Sequence, residues 1–282
     1  LDKMVLDQAD GLRRLLAGQS LRVIALLAPE AAAQSAGVAV NLAAALAYQG
    51  KRVVVVDESA DAASPGTLAD VVEGRLSLDV AARQAGDNVA VLAAGVVRGL
   101  HVQTIHDCLR DQADVVLIGA ALGADGLSAL AAQAHDMVIV MRAHAAAITP
   151  AYATIKRLHL VHALKQFRVL FEGVESSADA RAIFQNLAGV ASRYLGISLL
   201  PAGVVGADGE ALARAQALGR SVVDAFPAAR ASAAFRRIAG EMLHWPWRPI
   251  AARPVPVGAS AASASACASL ARRELASATS GA

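Results

Sequence analysis

The sequence predicts an α/β fold: a doubly wound, mostly parallel sheet with helices on both faces. Three observations carry that expectation. Val-rich runs such as "RVVVVD" (52–57) do not alternate apolar with polar residues, which is the pattern of a strand buried on both sides. Helical Ala/Leu-rich stretches separate most of these runs, and strands alternating with helices imply right-handed crossovers and a parallel sheet. Hydrophobic residues make up 56% of the 282 residues and aromatics only 4%, so the core is built mainly from Ala, Val, Leu and Ile.

In chain order, "MVLDQADGLRRLL" (4–16) places Val5, Ala9, Leu12 and Leu16 at helical spacing, with Gly18 as a stop signal. "LRVIALLA" (21–28) reads as the first strand, "GVAVNLAAALAYQG" (37–50) as a helix closing at Gly50, and 52–57 as the second strand. The strand pattern repeats at 88–95, 113–120, 136–143 and 167–174, with helices at 101–112, 126–134, 149–164 and 178–195. "GISLLPAGVV" (196–205) gives a last strand and 228–243 a closing helix. Beyond it, "HWPWRPIAARPVPVGASAASASA" is rich in Pro, Ser and Ala. From about 251 too little large apolar surface is on offer to offset the entropy of ordering, apart from a short helical patch at 267–276. Three units are therefore expected: an N-terminal helix (1–18), an α/β domain (19–244) and a tail (245–282). Trp245 and Trp247 are candidates to pin the tail to the body or to meet a partner or a lipid interface.

The bulk numbers narrow the function. A net charge of +2 gives no sign of a nucleic-acid binder. Cys108 and Cys267 make neither a metal spacing nor a disulfide framework, which suits a reducing compartment. Charges interrupt the apolar runs short of the ~20 residues of a membrane span, and "LDKMVLDQADGL" lacks the layout of a secretory signal. A cytoplasmic protein is expected.

Ligands of such sheets bind outside the carboxyl ends of the strands, so the loop after the first strand is the default site. That loop reads "APEAAAQSAG" (28–37). A phosphate cradle uses glycines to bring N–H groups to the anion, a lysine to neutralise it and a Ser/Thr hydroxyl to hold Mg²⁺. Here Pro29 removes an N–H, Glu30 brings a negative charge, and 29–36 contains no Gly and no Lys.

The flanking pattern nevertheless resembles the MinD/ParA group of deviant-Walker ATPases, with a P-loop NTPase fold, and within it the flagellar-number regulators of the FlhG/FleN family. The resemblance rests on "VNLA" (40–43), "GKRVVVVD" (50–57), "VVLIGAALG" (115–123) and "VLFEGVES" (169–176), and extends through "RAQALGRSVVDAFP" to "FRRIA". It implies that Glu30 stands at the signature lysine, Ser35 at the P-loop lysine and Ala36 at the Mg²⁺-binding threonine. It further implies Ser59 at the water-positioning acid, with Asp57 retained, Gly119 at the metal-side aspartate and Glu172 at the base-reading asparagine. Phosphoryl transfer depends on positioning and electrostatics, and one lost oxyanion-type donor costs roughly 2.7–4 kcal/mol. The expectation drawn is a non-catalytic pseudo-ATPase with no cofactor and no nucleotide-driven homodimer, since Glu30 replaces the lysine that crosses the family's dimer interface. The alternative is an ATP- and Mg²⁺-binding ATPase with unusual site residues.

"DQADGLRRL" (7–15) matches the family's DQAxxLR motif. By spacing alone it is an amphipathic helix packed on its own domain. The resemblance implies instead that it docks on an FlhF-type, signal-recognition-like GTPase and stimulates GTP hydrolysis, with Asp7, Gln8, Ala9, Leu12 and Arg13 as partner-binding residues. Gln8 would orient the attacking water. The expected function is regulation of flagellar number or placement, with recruitment to the cell pole. The rival is a basal-body or transcription-control scaffold without a GTPase partner. Membrane contact is expected to be weak or indirect, because prolines interrupt 245–256 and "CASLARRELA" offers little apolar area. His101, His106, Cys108, His159 and His162 read as surface or capping residues rather than metal ligands. Lys156, Arg157, Lys165 and Arg168 read as a solvated basic face. Leu212, Val223, Phe226, Phe235 and Ile238 read as core.

Overall fold

The computed structural model describes residues 21–59, 64–95 and 102–246. Eight strands form one sheet in the order β3-β4-β2-β5-β1-β6-β7-β8. They are β1 (Arg22–Leu27), β2 (Val53–Asp57), β3 (Arg83–Gln84), β4 (Val89–Ala93), β5 (Val115–Ala120), β6 (Asp136–Arg142), β7 (Gln166–Val174) and β8 (Ser198–Gly206). Every pairing is parallel except that of β3 with β4, a two-residue antiparallel edge that no sequence signal announced.

β1 lies at the centre, between β5 and β6, and all six of its residues are buried. Its side chains alternate between two cores. Val23, Ala25 and Leu27 join one, while Ile24 and Leu26 join the other. The first core is covered by α2 (Leu68–Val72), α3 (Leu78–Ala81), α4 (Val102–Leu109), α5 (Ala129–Ala132), α6 (Ala145–His162) and α7 (Ser177–Leu195). α1 (Ala32–Ala47) covers the second, with α8 (Gly209–Ala217), α9 (Val222–Ala225) and α10 (Arg230–Leu243). This is the predicted doubly wound sheet. Val223, Phe235 and Ile238 are core as expected, and Leu212 and Phe226 pack half-buried against them.

Helix starts were the least legible feature. α1 begins at Ala32 rather than 37, because its N-cap is Ala31, extended and without a side-chain cap, so no polar residue marks the start. α6 begins at Ala145 rather than 149. His144 caps it, its Nδ1 accepting from Ala147 N–H at 3.2 Å, and Pro150 sits inside the helix rather than at its first turn. The stretch expected as a helix over 126–134 is a single turn, α5, capped by Ser128, whose Oγ accepts from Ala131 N–H. α2 carries a capping box in which Thr67 and Asp70 satisfy each other's backbone.

Candidate functional site

The site lies where β1, β2, β5 and β7 end. β1 delivers the chain into the 28–31 turn, with Glu30 exposed, and α1 rises from Ala32 against β5. The approach of α1 to β5 is close. A Cβ built on Gly119 would lie 2.9 Å from Ala36 Cα and 3.2 Å from Ala36 N, so the helix backbone occupies the space a side chain at 119 would need. One residue earlier, Ser35 is fully buried and its Oγ donates to Ala120 O at 3.1 Å. Ser35, Ala36 and Gly119 therefore form the seam between α1 and the sheet.

Across the helix a cleft of about 480 Å³ opens, lined among others by Gln34, Asn41, Asp57, Arg83, Glu172 and Arg220. Glu172, at the end of β7, accepts from Gln34 Nε2 at 2.8 Å, which ties that strand end to the first turns of α1. Asn41 Oδ1 accepts from Val222 N–H at 2.8 Å and ties the middle of α1 to α9. At the end of β2, Asp57 Oδ1 accepts from Ser59 N–H at 2.8 Å. Of the six positions singled out from the sequence, Ala36 and Glu172 face the cleft, Ser35 and Gly119 lie under α1, and Glu30 and Ser59 sit on the loops beside it. Ser35 is turned inward to a carbonyl, and a side chain at 119 would meet the backbone of Ala36.

Sequence reasoning passed over Glu58. Its carboxylate accepts from Ser128 Oγ at 2.5 Å and from Ala121 N–H at 3.3 Å, and its own N–H donates to Gly119 O at 3.0 Å. Burial pushes its pKa up, against the pull of those two hydrogen bonds, and the neighbouring Asp57 charge adds to the rise. A carboxylate closing an apolar strand was the available signal.

No protein-family model matches the chain. Among curated proteins, the antiactivator FleN of Pseudomonas aeruginosa is 32% identical over 247 residues, covering 80% of this chain and 88% of that protein. The chain belongs to the FleN/FlhG family. Solved MinD structures share the fold of this FleN-family protein. The MinD cell division protein of Aquifex aeolicus matches with a TM-score of 0.61 at 16% identity, covering 81% of this chain and 100% of that one. MinD of Pyrococcus horikoshii complexed with Mg-ADP matches with a TM-score of 0.55 at 17% identity, over 79% of this chain and 96% of that one.

These neighbours correct the expectation of a pseudo-ATPase. The fold is shared with a solved cell division ATPase, MinD of Pyrococcus furiosus (TM-score 0.55 at 19% identity, over 80% of this chain and 99% of that one), and with the MinD solved with Mg-ADP, and the "not an enzyme" reading does not stand. Folds of this kind also hold phosphate with backbone N–H groups at a helix N-terminus, and α1 starts with no side-chain cap taking up those donors.

The N-terminal candidates Asp7, Gln8, Ala9, Leu12 and Arg13 lie outside the described residues, as do His101, Trp247 and Cys267. Among the described residues no helix is long and apolar enough to cross a membrane. His159 and His162 engage backbone: His159 Nδ1 meets Leu164 O at 2.9 Å, and His162 Nε2 accepts from Leu127 N–H at 3.0 Å. The basic group is not a uniform solvated face. Arg157 donates to the carbonyls of Gly123 and Ala124. Arg168 is buried at the other end of the sheet, its Nε on Asp136 Oδ1 at 3.0 Å and its guanidinium 3.9 Å from the Trp245 ring centroid.

Proposed function

We propose that this FleN-family protein regulates the number or placement of bacterial flagella by binding an FlhF-type GTPase through residues 1–18 and stimulating its GTP hydrolysis. The observation that carries the reading is the 32% identity to antiactivator FleN across 80% of the chain. The DQAxxLR match at 7–13 adds the partner and the segment. Gln8 orients the attacking water in the partner's site, Asp7 caps the helix, Leu12 anchors it and Arg13 pairs with an acid or phosphate.

The test is GTP turnover by the FlhF-type partner, measured alone, with a peptide of residues 1–18 and with the whole chain. Both additions are expected to raise the rate, and Gln8→Ala in the whole chain to abolish the rise. Unchanged stimulation by the Gln8→Ala protein removes the assigned role.

A second reading has one specific support, the word "antiactivator" in the relative's name. In it the α/β body holds a transcriptional activator in check and residues 1–18 are dispensable. Pull-downs from cells with and without those residues separate the two. Loss of the GTPase on truncation favours the first, and retention of an activator by the truncated chain favours the second.

A further inference from the structure

The cleft beside α1 carries two arginines that the fold itself does not use. It runs along one side of the helix from Ala33 to Asn41, and the 28–31 turn does not line it. Its two acids are engaged, Glu172 by Gln34 Nε2 and Asp57 by Ser59 N–H, each at 2.8 Å. Its two arginines, Arg83 and Arg220, have no ion pair, side-chain hydrogen bond or ring contact among the described residues. Local structure nevertheless delivers both to the cavity. β3 pairs antiparallel with β4 and sets Arg83 opposite Val91, which lines the cavity together with the buried Val55. Arg220 follows Gly219, whose φ of +64° turns the chain at the end of α8, and its N–H donates to Ala215 O at 3.1 Å. Asn41 Oδ1 holds Val222 N–H at 2.8 Å, which fixes that turn against α1. The two guanidiniums thus come from separate walls of one cavity, which also has buried valines and Leu212 and Gln216 of α8 in its lining.

We propose that this cleft binds a small organic anion, with an apolar body on Val55 and Val91 and a carboxylate or phosphate monoester held by Arg83 and Arg220. A guanidinium presents a planar fork of N–H donors that matches either group through two parallel hydrogen bonds. The cavity of about 480 Å³ is the size of a small-molecule site, and it has the usual makeup of one, apolar walls with a few polar groups that fix orientation. Charge state decides the sign of the ligand. The acids already accept hydrogen bonds from the protein, so a cation has to compete for them, whereas an anion meets two guanidiniums with their donors unspent. Gly37 adds room, since a Cβ there meets nothing within 4 Å. The site lies on the flank of α1, independent of residues 1–18, and it stands whichever partner the protein serves.

Titration of the isotope-labelled full chain with phenyl phosphate, benzoate and benzylamine, followed by amide chemical shifts, tests it. The two anions are expected to shift the amides of Arg83, Val91, Asn41 and 212–221 with saturation, and benzylamine to leave them in place. Tighter binding of phenyl phosphate assigns a phosphate monoester, tighter binding of benzoate a carboxylate, and either supports the site. The double variant Arg83→Gln with Arg220→Gln is expected to bind about tenfold more weakly, the scale of losing a charge-assisted hydrogen bond. Gly37→Leu provides a second, independent block. It fills the cavity where no atom stands in the way, and leucine favours a helix more than glycine does, so the protein stays folded while binding is lost. No saturable shift with either anion by about 10 mM overturns the proposal. So do shifts centred on the 28–31 turn instead of the cleft, equal binding of benzylamine, or an affinity of the double variant within about twofold of wild type.

Discussion

The two ends of the sheet handle charge in opposite ways. At the amino ends of the strands, Arg22, Asp136 and Arg168 are 6%, 2% and 5% exposed, and Asp136 is shared between the two guanidiniums at 2.7 and 3.0 Å. Arg22 also donates to the carbonyls of Met242 and Trp245, and Trp245 lies flat against Arg168, so α10 is fastened to the strand ends. At the carboxyl ends, Glu30 is exposed, Asp57 and Glu172 are half-buried on the rim of a cleft, and the contacts there tie loops rather than a core. One end uses charge as architecture. The other keeps charge at the rim of a cavity, where the fold class places ligands. The difference teaches that charge type alone does not mark a site; Asp136 opens one Val-rich strand and Asp57 closes another, and only the second faces open space.

The largest expected effect tests the buried end. Asp136→Ala leaves two buried guanidiniums facing each other and is expected to cost about 3–5 kcal/mol in chemical denaturation. A loss under 1 kcal/mol would erase the contrast between the ends. Next comes Trp245→Ala, expected to cost about 3 kcal/mol because it removes a large buried side chain and uncovers Arg168. The open end enters with Gly119→Asp, which restores the acid that the family resemblance implies but drives it into the backbone of Ala36. A cost of about 1–3 kcal/mol is expected, with Gly119→Ala at the lower end, since helix and strand must part. A neutral Gly119→Asp would show that α1 can lift off β5, and would sharpen the cleft as a mobile region.

The smallest effects are in pH, and they differ by end. His135, beside β1, accepts Val23 N–H on Nδ1 at 3.0 Å, and burial pushes its pKa below 6.5. The unfolded chain then binds the proton more readily than the folded one, so stability present at neutral pH falls as pH drops below about 6.5. Replacing His135 with Gln is expected to flatten that part of the denaturation-midpoint profile. Asp70, near the open end, is held at about 2 by the Thr67 hydroxyl and by Arg75, below its ordinary 3.8. Its contribution is complete above 3.8 and is lost as pH falls from there toward about 2. A Thr67→Ala protein should lose sensitivity in that acid window while keeping the one near 6.5.

The site was legible in part. The turn after β1 could be placed because Val-rich strands and an Ala-rich helix bracket it, and Ala36 and Glu172 do reach one cleft. Glu58 was passed over because its partners, Ala121 and Ser128, are about 63 and 70 residues away. Arg168 was misread for the same reason. In sequence it belongs to a loose basic group with Lys156 and Lys165, and only the register of β6 with β7 brings it onto Asp136.

The sequence by itself determined the layered α/β architecture, because burial on both faces of a strand and one face of a helix leaves a periodicity that needs no knowledge of neighbours. It also determined the family, through motifs that are contiguous in the chain. Only the tertiary structure decided that Arg22, Asp136, Arg168 and Trp245 meet, that α1 lies too close to β5 for any side chain at 119, and that Glu58 spans two loops. Those facts depend on which strands are neighbours and in what register, and a parallel sheet sets both through crossovers whose paired strands are far apart along the chain.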